Sequence, residues 1–335
     1  MRMLALAQAW QDKFHAEKPR VTFACRELPS ALHDRLLDKG IEIWRLEAKA
    51  GGIEDTREVI GLVNRGGVCP SWIVTDGYFF TIEFQREIRS HGMHLAVMDD
   101  NGENGAYDCD VILNQNILAQ ESMYVRRNPD ARLLLGTDYA LLRREFRDAE
   151  PKAKEMPRQV ERVMLTFGGG NTVELVIAIL RSLRDVRPLL HIRCVLGSLA
   201  VASAELEKAR ANSPHRVEIL NDVRDMTEVM HWADLSINAA GSTTWELCAM
   251  GVPMIVTVLA ENQRLIAEGL VARGCAVNAG DVVAGRSVEK VHELFVSLVG
   301  DVARRRELAH RAHELVDGSG ALRVVESLSG NGSKK

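Results

Sequence analysis

Asn238-Ala239-Ala240-Gly241-Ser242-Thr243-Thr244-Trp245-Glu246 follows the short apolar run Leu235 to Ile237 and leads into a helical stretch. A strand end that passes through small residues into a helix N-terminus is the turn of a βα unit. Ser242, Thr243 and Thr244 bring hydroxyls and backbone N–H groups to the positive end of a helix dipole, a suitable seat for phosphate. Glu246, one turn in, could accept hydrogen bonds from two ribose hydroxyls. The same residues also fit a capping box, with Thr243 bonding the N–H three residues on and Glu246 reaching back. Taken alone, the stretch leaves both readings open.

Working outward, the same arrangement recurs. Thr166-Phe167-Gly168-Gly169-Gly170-Asn171-Thr172 follows an apolar run and precedes a helical one, and its glycines allow close approach of backbone to an anion. A plain tight turn would look alike. Leu259-Ala260-Glu261-Asn262-Gln263 follows the run Met254 to Val258, and the amides of Asn262 and Gln263 suit sugar hydroxyls or an N-acetyl group, or else Asn262 caps the helix. Three such turns at strand C-termini converge on the crevice where open α/β sheets bind ligands, which favours a nucleotide site. In the first half the corresponding strand ends are Thr75-Asp76-Gly77-Tyr78 and Met98-Asp99-Asp100. Asp76, Tyr78 and Asp100 are therefore candidates for substrate contact, the alternative being that Asp76 and Asp99 cap the next helices.

A chain of 335 residues favours two domains. Alternating short apolar runs and amphipathic stretches predict parallel sheets, with strands at 21–25, 41–44, 72–75, 95–98, 111–113 and 133–135, then 163–167, 192–196, 217–220, 235–237, 254–258 and 276–278. The segment Arg143 to Pro157, rich in Glu, Lys, Arg and Pro, reads as a linker with the boundary near Pro151. The expected division is 1–150, 151–329 and a small polar tail, 330–335, that is disordered. Met1 to Trp10 reads as a helix with Leu4, Ala7 and Trp10 on one face, with no strand before it.

The formal net charge is −4, from 42 basic and 46 acidic residues, so a sequence-independent attraction to nucleic acid is not expected. Six cysteines without a CxxC pair read as buried thiols in a reducing cytoplasm. No apolar run approaches the roughly 20 residues of a membrane span, and no secretory leader is seen. Asp108-Cys109-Asp110 leads into a strand and reads as solvated carboxylates, while His91 and His94 lack the spacing of a zinc site. Neither a metal nor a cofactor is expected.

The motifs together resemble a known family, the UDP-2,4-diacetamido-2,4,6-trideoxy-β-L-altropyranose hydrolases of pseudaminic acid biosynthesis, which share the GT-B fold of MurG-type glycosyltransferases. The resemblance rests on MRMLALAQAW (1–10), VTDGY (74–78), Met98 to Asp100, CDVILN (109–114), YALLRREF (139–146), the GGGN and AAGSTTWE turns, AENQRLIA, and DGSGALRV (317–324). It implies two Rossmann-like domains with a cleft between them, and hydrolysis of the UDP-sugar without metal to UDP and the free sugar, a step towards flagellin glycosylation or a surface polysaccharide, between which the sequence does not decide. It further implies that Gly168, Gly169, Gly170, Asn171, Ser242, Thr243 and Thr244 lie near the diphosphate and Glu246 near the ribose. Asn262 and Gln263 would lie near the sugar, with Asp100 also binding substrate and Tyr78 and Asp76 at the reacting centre.

That family has a first strand and a glycine-rich loop ending in a His, thought to be the general base, ahead of the segment equivalent to Met1-Arg2. The resemblance thus implies that a strand and loop on the order of twenty residues, and the general-base His with them, would be missing from this sequence, and no other His in it falls on that motif. Two alternatives to a hydrolase are a MurG-like UDP-sugar glycosyltransferase and a non-catalytic UDP-sugar binding protein. Oligomeric state is not legible.

Overall fold

Runs of four to six residues rich in Val, Ile and Leu are too short for helices, and in parallel sheets they are buried on both faces. A computed structural model of the chain describes residues 1–67, 69–102, 104–151, 156–168, 172–197, 203–221, 223–282 and 287–330, and in it the runs Leu95–Met98, Val111–Asn114, Leu235–Ala239 and Met254–Val258 are buried throughout, whereas Thr22–Cys25 and Glu42–Arg45 stay partly exposed. Each expected strand is present: β1 Thr22–Cys25, β2 Glu42–Arg45, β3 Ile73–Asp76, β4 Leu95–Met98, β5 Val111–Asn114, β6 Arg132–Leu135, β7 Arg162–Thr166, β8 His191–Leu196, β9 Arg216–Asn221, β10 Leu235–Ala239, β11 Met254–Val258 and β12 Val277–Asp281. The chain divides into two compact units, Met1–Arg144 with the residues from Ser319 onward, and Glu145–Gly318.

In the second unit six parallel strands run in the order β12-β11-β10-β7-β8-β9. Counted from β7, this is the doubly wound order of dinucleotide-binding sheets, and its switch point lies between β7 and β10. One face of the sheet, with Leu165, Ile192, Ile237 and Ile255, is buried together with Val176, Ile179 and Leu180 of helix Val173–Ser182 and with Val291, Phe295 and Leu298 of helix Ser287–Val299. Each of these side chains contributes about 1.5–3 kcal/mol by leaving water, so the positions of the turns above them are well supported.

The first unit has two sheets, β1-β2 and β3-β4-β5-β6, all parallel. Helix Arg2–Lys13 covers both. Leu4 and Ala7 pack with Leu36, Ile41 and Phe23 beside the smaller sheet, while Ala5, Leu6 and Ala9 pack with Met98, Val111 and Leu113 of the larger. The single stripe expected from the sequence is therefore too narrow, since every residue from Leu4 to Ala9 is buried.

The division differs from the expected one at two places. Helix Gly320–Ser329 belongs to the first unit, where Ala321, Val324, Val325 and Leu328 pack against Ala5, Leu6 and Ala9. Its first residue must be glycine, because a Cβ on Gly320 would lie 2.4 Å from the Ala140 carbonyl oxygen. Trp72 Nε1 donates to the Leu328 carbonyl at 3.1 Å and ties the helix to the sheet. The units also part at Arg144 rather than Pro151. The expected linker holds a short helix, Arg144–Asp148, with Phe146 buried, and Arg143 is buried as well, so the charged composition conceals ordered structure. Residues 152–155 and the tail from 331 lie outside the described residues.

Of the six cysteines four are buried, but Cys25 is half-buried and Cys69 exposed. Among the described residues no helix is long and apolar enough to cross a membrane.

Candidate functional site

At the switch point of the second unit, β7 ends in Thr166, buried Phe167 follows, and the chain then turns outward at exposed Gly168, whose φ of +81° suits glycine. Gly169, Gly170 and Asn171 lie outside the described residues. The neighbouring strand β10 ends in Asn238 and Ala239, followed by Ala240, half-buried Gly241 and exposed Ser242. Helix Thr243–Ala249 begins there with Ser242 as N-cap and no side-chain cap, so the capping box that the sequence also allowed does not form in that register. The N–H of Thr244 donates to the Gly241 carbonyl at 2.9 Å and that of Trp245 to the Ser242 carbonyl at 3.1 Å. Among the described residues those of Ser242 and Thr243 have no such acceptor.

The three hydroxyls expected at the phosphate do not share one fate. Ser242 is exposed and Thr243 half-buried, whereas Thr244 is fully buried and its Oγ1 donates to the Ala239 carbonyl at 3.4 Å. Thr244 thus shapes the turn from below. Glu246 is half-buried, one turn into the helix, at the position expected. Beneath the turn, Asn238 donates through Nδ2 to the Ala239 carbonyl, and its Oδ1 is buried without a donor among the described residues.

The third turn joins the second through Gln263. Helix Glu261–Ala272 has Ala260 as N-cap and no side-chain cap, so Asn262 is not the cap and stays exposed. Gln263 Oε1 accepts from the Leu259 N–H at 2.9 Å, and a Cβ on Gly241 would lie 3.8 Å from its Nε2. Fixed by that bond, the side chain points its amide nitrogen toward the Gly241 turn.

In the first unit the candidates at the ends of β3 and β4 come together around a residue that the sequence reading passed over. Arg2 Nε donates to both oxygens of Asp76 at 3.1 Å and its Nη2 to Asp76 Oδ1 at 2.6 Å, while Nη1 reaches Asp100 at 2.7 and 2.9 Å. Tyr78 donates its hydroxyl to Asp100 Oδ2 at 2.9 Å. Burial works against the Arg2 charge, yet the hydrogen bonds to both carboxylates outweigh it and hold the guanidinium protonated. Burial, followed by the bond to Asp100, pushes the Tyr78 phenol up to about 12. At neutral pH it is a neutral donor and acceptor and cannot serve as a base.

Neither aspartate behaves as a helix cap. Asp76 bonds Arg2; Asp99 is buried and accepts from Tyr107 Oη at 2.6 Å, Tyr124 Oη at 3.2 Å and the Asn101 N–H at 2.8 Å, a structural role that separates it from Asp100. Asn114, at the end of β5, and Asn116 both donate to the Asp100 carbonyl, at 3.2 and 2.8 Å. The signal that could have revealed Arg2 is its place as the first residue of a helix with no acid in its first turn, where the dipole disfavours a cation unless carboxylates meet it. Asp108 and Asp110 are not simply solvated: Arg89 pairs with both, and the Leu95 N–H donates to Asp110 at 2.8 Å.

Residues 163–312 match the family described as Glycosyltransferase family 28 C-terminal domain. Over 98% of its length the chain superposes on Acinetobacter baumannii MurG with a TM-score of 0.69, at 15% identity and covering 96% of that chain. The fold is GT-B. A UDP-GlcNAc 2-epimerase from Neisseria meningitidis, solved with UDP-GlcNAc bound, superposes with a TM-score of 0.64 at 13% identity over 99% of this chain and 98% of that one. In sequence, 24% identity over 69% of the chain links it to the spore coat polysaccharide biosynthesis protein SpsG of Bacillus subtilis, covering 67% of that protein. An uncharacterised protein of Methanocaldococcus jannaschii is 22% identical over 61% of the chain, which spans only 43% of that protein's length. The stretch that matches the family 28 C-terminal domain lies within the second unit, Glu145–Gly318.

Proposed function

We infer that this GT-B chain binds a UDP-sugar and cleaves it with water, giving UDP and the free sugar, and that the substrate is UDP-2,4-diacetamido-2,4,6-trideoxy-β-L-altropyranose of pseudaminic acid biosynthesis. The observation that carries the reading is the switch-point turn of the second unit, where the N–H groups of Ser242 and Thr243 have no acceptor among the described residues and exposed Ser242 opens the helix. A diphosphate supplies the acceptors such a turn lacks, and spreading its charge over backbone donors makes UDP a better leaving group. Glu246 takes the ribose hydroxyls, and Asn262 and Gln263 the polar groups of the sugar. The solved relatives with UDP-GlcNAc or MurG activity support the nucleotide, and the family motifs support the sugar and the use of water.

In the first unit Asp76, Asp100 and Tyr78 handle the reacting sugar. Both carboxylates accept hydrogen bonds from sugar hydroxyls or amide N–H groups, and the neutral Tyr78 phenol hydrogen-bonds the sugar or the attacking water. Water supplies a hydroxyl to the sugar and a proton to UDP, so the reaction balances with no cofactor. A transferase reading is favoured by the family 28 domain itself, in which an acceptor hydroxyl replaces water.

Calorimetric titration with UDP, followed by UDP release from the nucleotide sugar with and without added acceptor sugars, tests the proposal. Binding in the micromolar range with release in water alone is expected. Release only with an acceptor moves the protein to the transferases, binding without release leaves a UDP-sugar binding protein, and no binding of UDP refutes the nucleotide assignment.

A further inference from the structure

We propose that Arg2 is the positioning residue of the sheet-end cluster in the first unit, one guanidinium that fixes Asp76 and Asp100 together and, through Asp100, orients the Tyr78 hydroxyl. The proposal rests on the sugar-handling role given to that cluster above.

The hydrogen bonds divide the work unevenly. Asp100 is held on its backbone side by Asn114 and Asn116, and its carboxylate by Arg2 and Tyr78. The Asp76 carboxylate has Arg2 as its hydrogen-bonding partner, through Nε and Nη2. Without Arg2 the Asp76 side chain loses its orientation, and two carboxylates on adjacent strand ends face each other with no cation between them. A planar fork is required: Nε and Nη2 point along one edge of the guanidinium and Nη1 along another, so a single Arg serves both aspartates, which the point charge of Lys cannot reproduce.

The cost of placing Arg2 there argues against a purely structural purpose. It opens helix Arg2–Lys13, where the dipole opposes a cation, and that helix is already anchored by buried Leu4, Ala5, Leu6, Ala7 and Ala9. With its donors directed at Asp76 and Asp100, Arg2 leaves an outward rim of acceptors, the two carboxylates and the lone pairs of Tyr78, whose side of the cluster is the exposed one. Such a rim takes hydrogen-bond donors, and among the described residues it is Arg2 that sets the orientation of Asp76.

The test compares wild type, Arg2→Gln, Arg2→Lys and Arg2→Ala in UDP release from the nucleotide sugar and in calorimetric UDP binding. Arg2→Gln is expected to lower kcat about 100-fold, the effect of a roughly 1 Å misplacement, with the Kd for UDP within about twofold of wild type. Arg2→Lys should recover only a part. Guanidinium chloride at tens of millimolar should raise the kcat of Arg2→Ala about tenfold or more, with sodium chloride at equal ionic strength doing nothing, a response that a merely structural role does not give. A wild-type kcat in Arg2→Gln, an equal loss of UDP affinity, or a guanidinium effect no greater than that of salt overturns the role of Arg2 while leaving the hydrolase reading intact. No UDP release by wild type overturns the hydrolase reading, and the role of Arg2 with it.

Discussion

On the proposed function, the ends of the six-stranded and the four-stranded sheet would solve recognition in opposite ways. In the second unit the switch point is built from Gly168, Ala239, Ala240, Gly241 and Ser242, small residues that bring backbone N–H groups forward and keep side-chain charge away. In the first unit the ends of β3 and β4 are built from Asp76, Asp100 and Tyr78 around Arg2, with the backbone used only to support them. The difference is the one expected from the ligand proposed for each. A diphosphate carries its own charge and needs donors from fixed dipoles, while a sugar offers hydroxyl and amide donors and needs acceptors placed one by one.

If the contrast holds, side-chain removal should be severe in the first unit and mild at the switch point. Asp100→Ala should have the largest effect, a fall in kcat of about 10² to 10³-fold with UDP affinity unchanged by calorimetry, because it strips both Arg2 and Tyr78 of a partner. An Asp100→Ala enzyme that loses UDP affinity in proportion would erase the distinction.

Ser242→Pro sharpens the point for the second unit. The native φ of −60° accommodates the ring, so the variant removes one N–H with little other change, and UDP binding should weaken about 10 to 100-fold. Glu246→Ala should raise the Kd for UDP about tenfold, roughly 1.4 kcal/mol, and an unchanged Kd removes the ribose assignment.

Tyr78→Phe should slow turnover by a factor of about ten or less, with UDP binding intact. Because the folded environment raises this phenol to about 12, its neutral form persists across the working range, and no descending limb of the pH–rate profile below about pH 10 should belong to it. A limb near pH 9 that vanishes in Tyr78→Phe would contradict the neutral-donor role. The smallest effect is expected for Ser242→Ala, at most about threefold in UDP affinity, since the N–H remains; a loss as large as that of Ser242→Pro would mean that the hydroxyl and not the backbone binds.

Much of this was legible in the chain itself. All the strands were: β4, β5, β10 and β11 because a strand buried on both faces is a short apolar run, and the partly exposed β1, β2, β9 and β12 because each still carries an apolar stretch between helical segments. The turns after β10 and β11 were legible as well, since a strand end, small residues and a helix start are contiguous, and so were the positions of Asp76, which ends β3, and of Tyr78 and Asp100, which follow β3 and β4. What the sequence left undecided depends on how side chains pack once the chain is folded, some against near neighbours and some against partners far apart along it.

Arg2 lies 74 residues from Asp76 and 98 from Asp100, and no local pattern announces a bond of that span. The burial of Thr244 and its bond to Ala239, the use of Gln263 Oε1 by Leu259, and the diversion of Asp99 to two tyrosines likewise depend on which face each side chain meets once packed. The return of helix Gly320–Ser329 to the first unit is the longest of these, fixed by the approach of Gly320 to Ala140 and by apolar burial against Ala5 and Leu6. The sequence by itself determined the doubly wound strands and the turns that end them, because local periodicity and glycine placement act over a few residues. Only the tertiary structure decided which charges meet and to which unit the last helix belongs, because ion pairing and burial act between residues brought together by the fold.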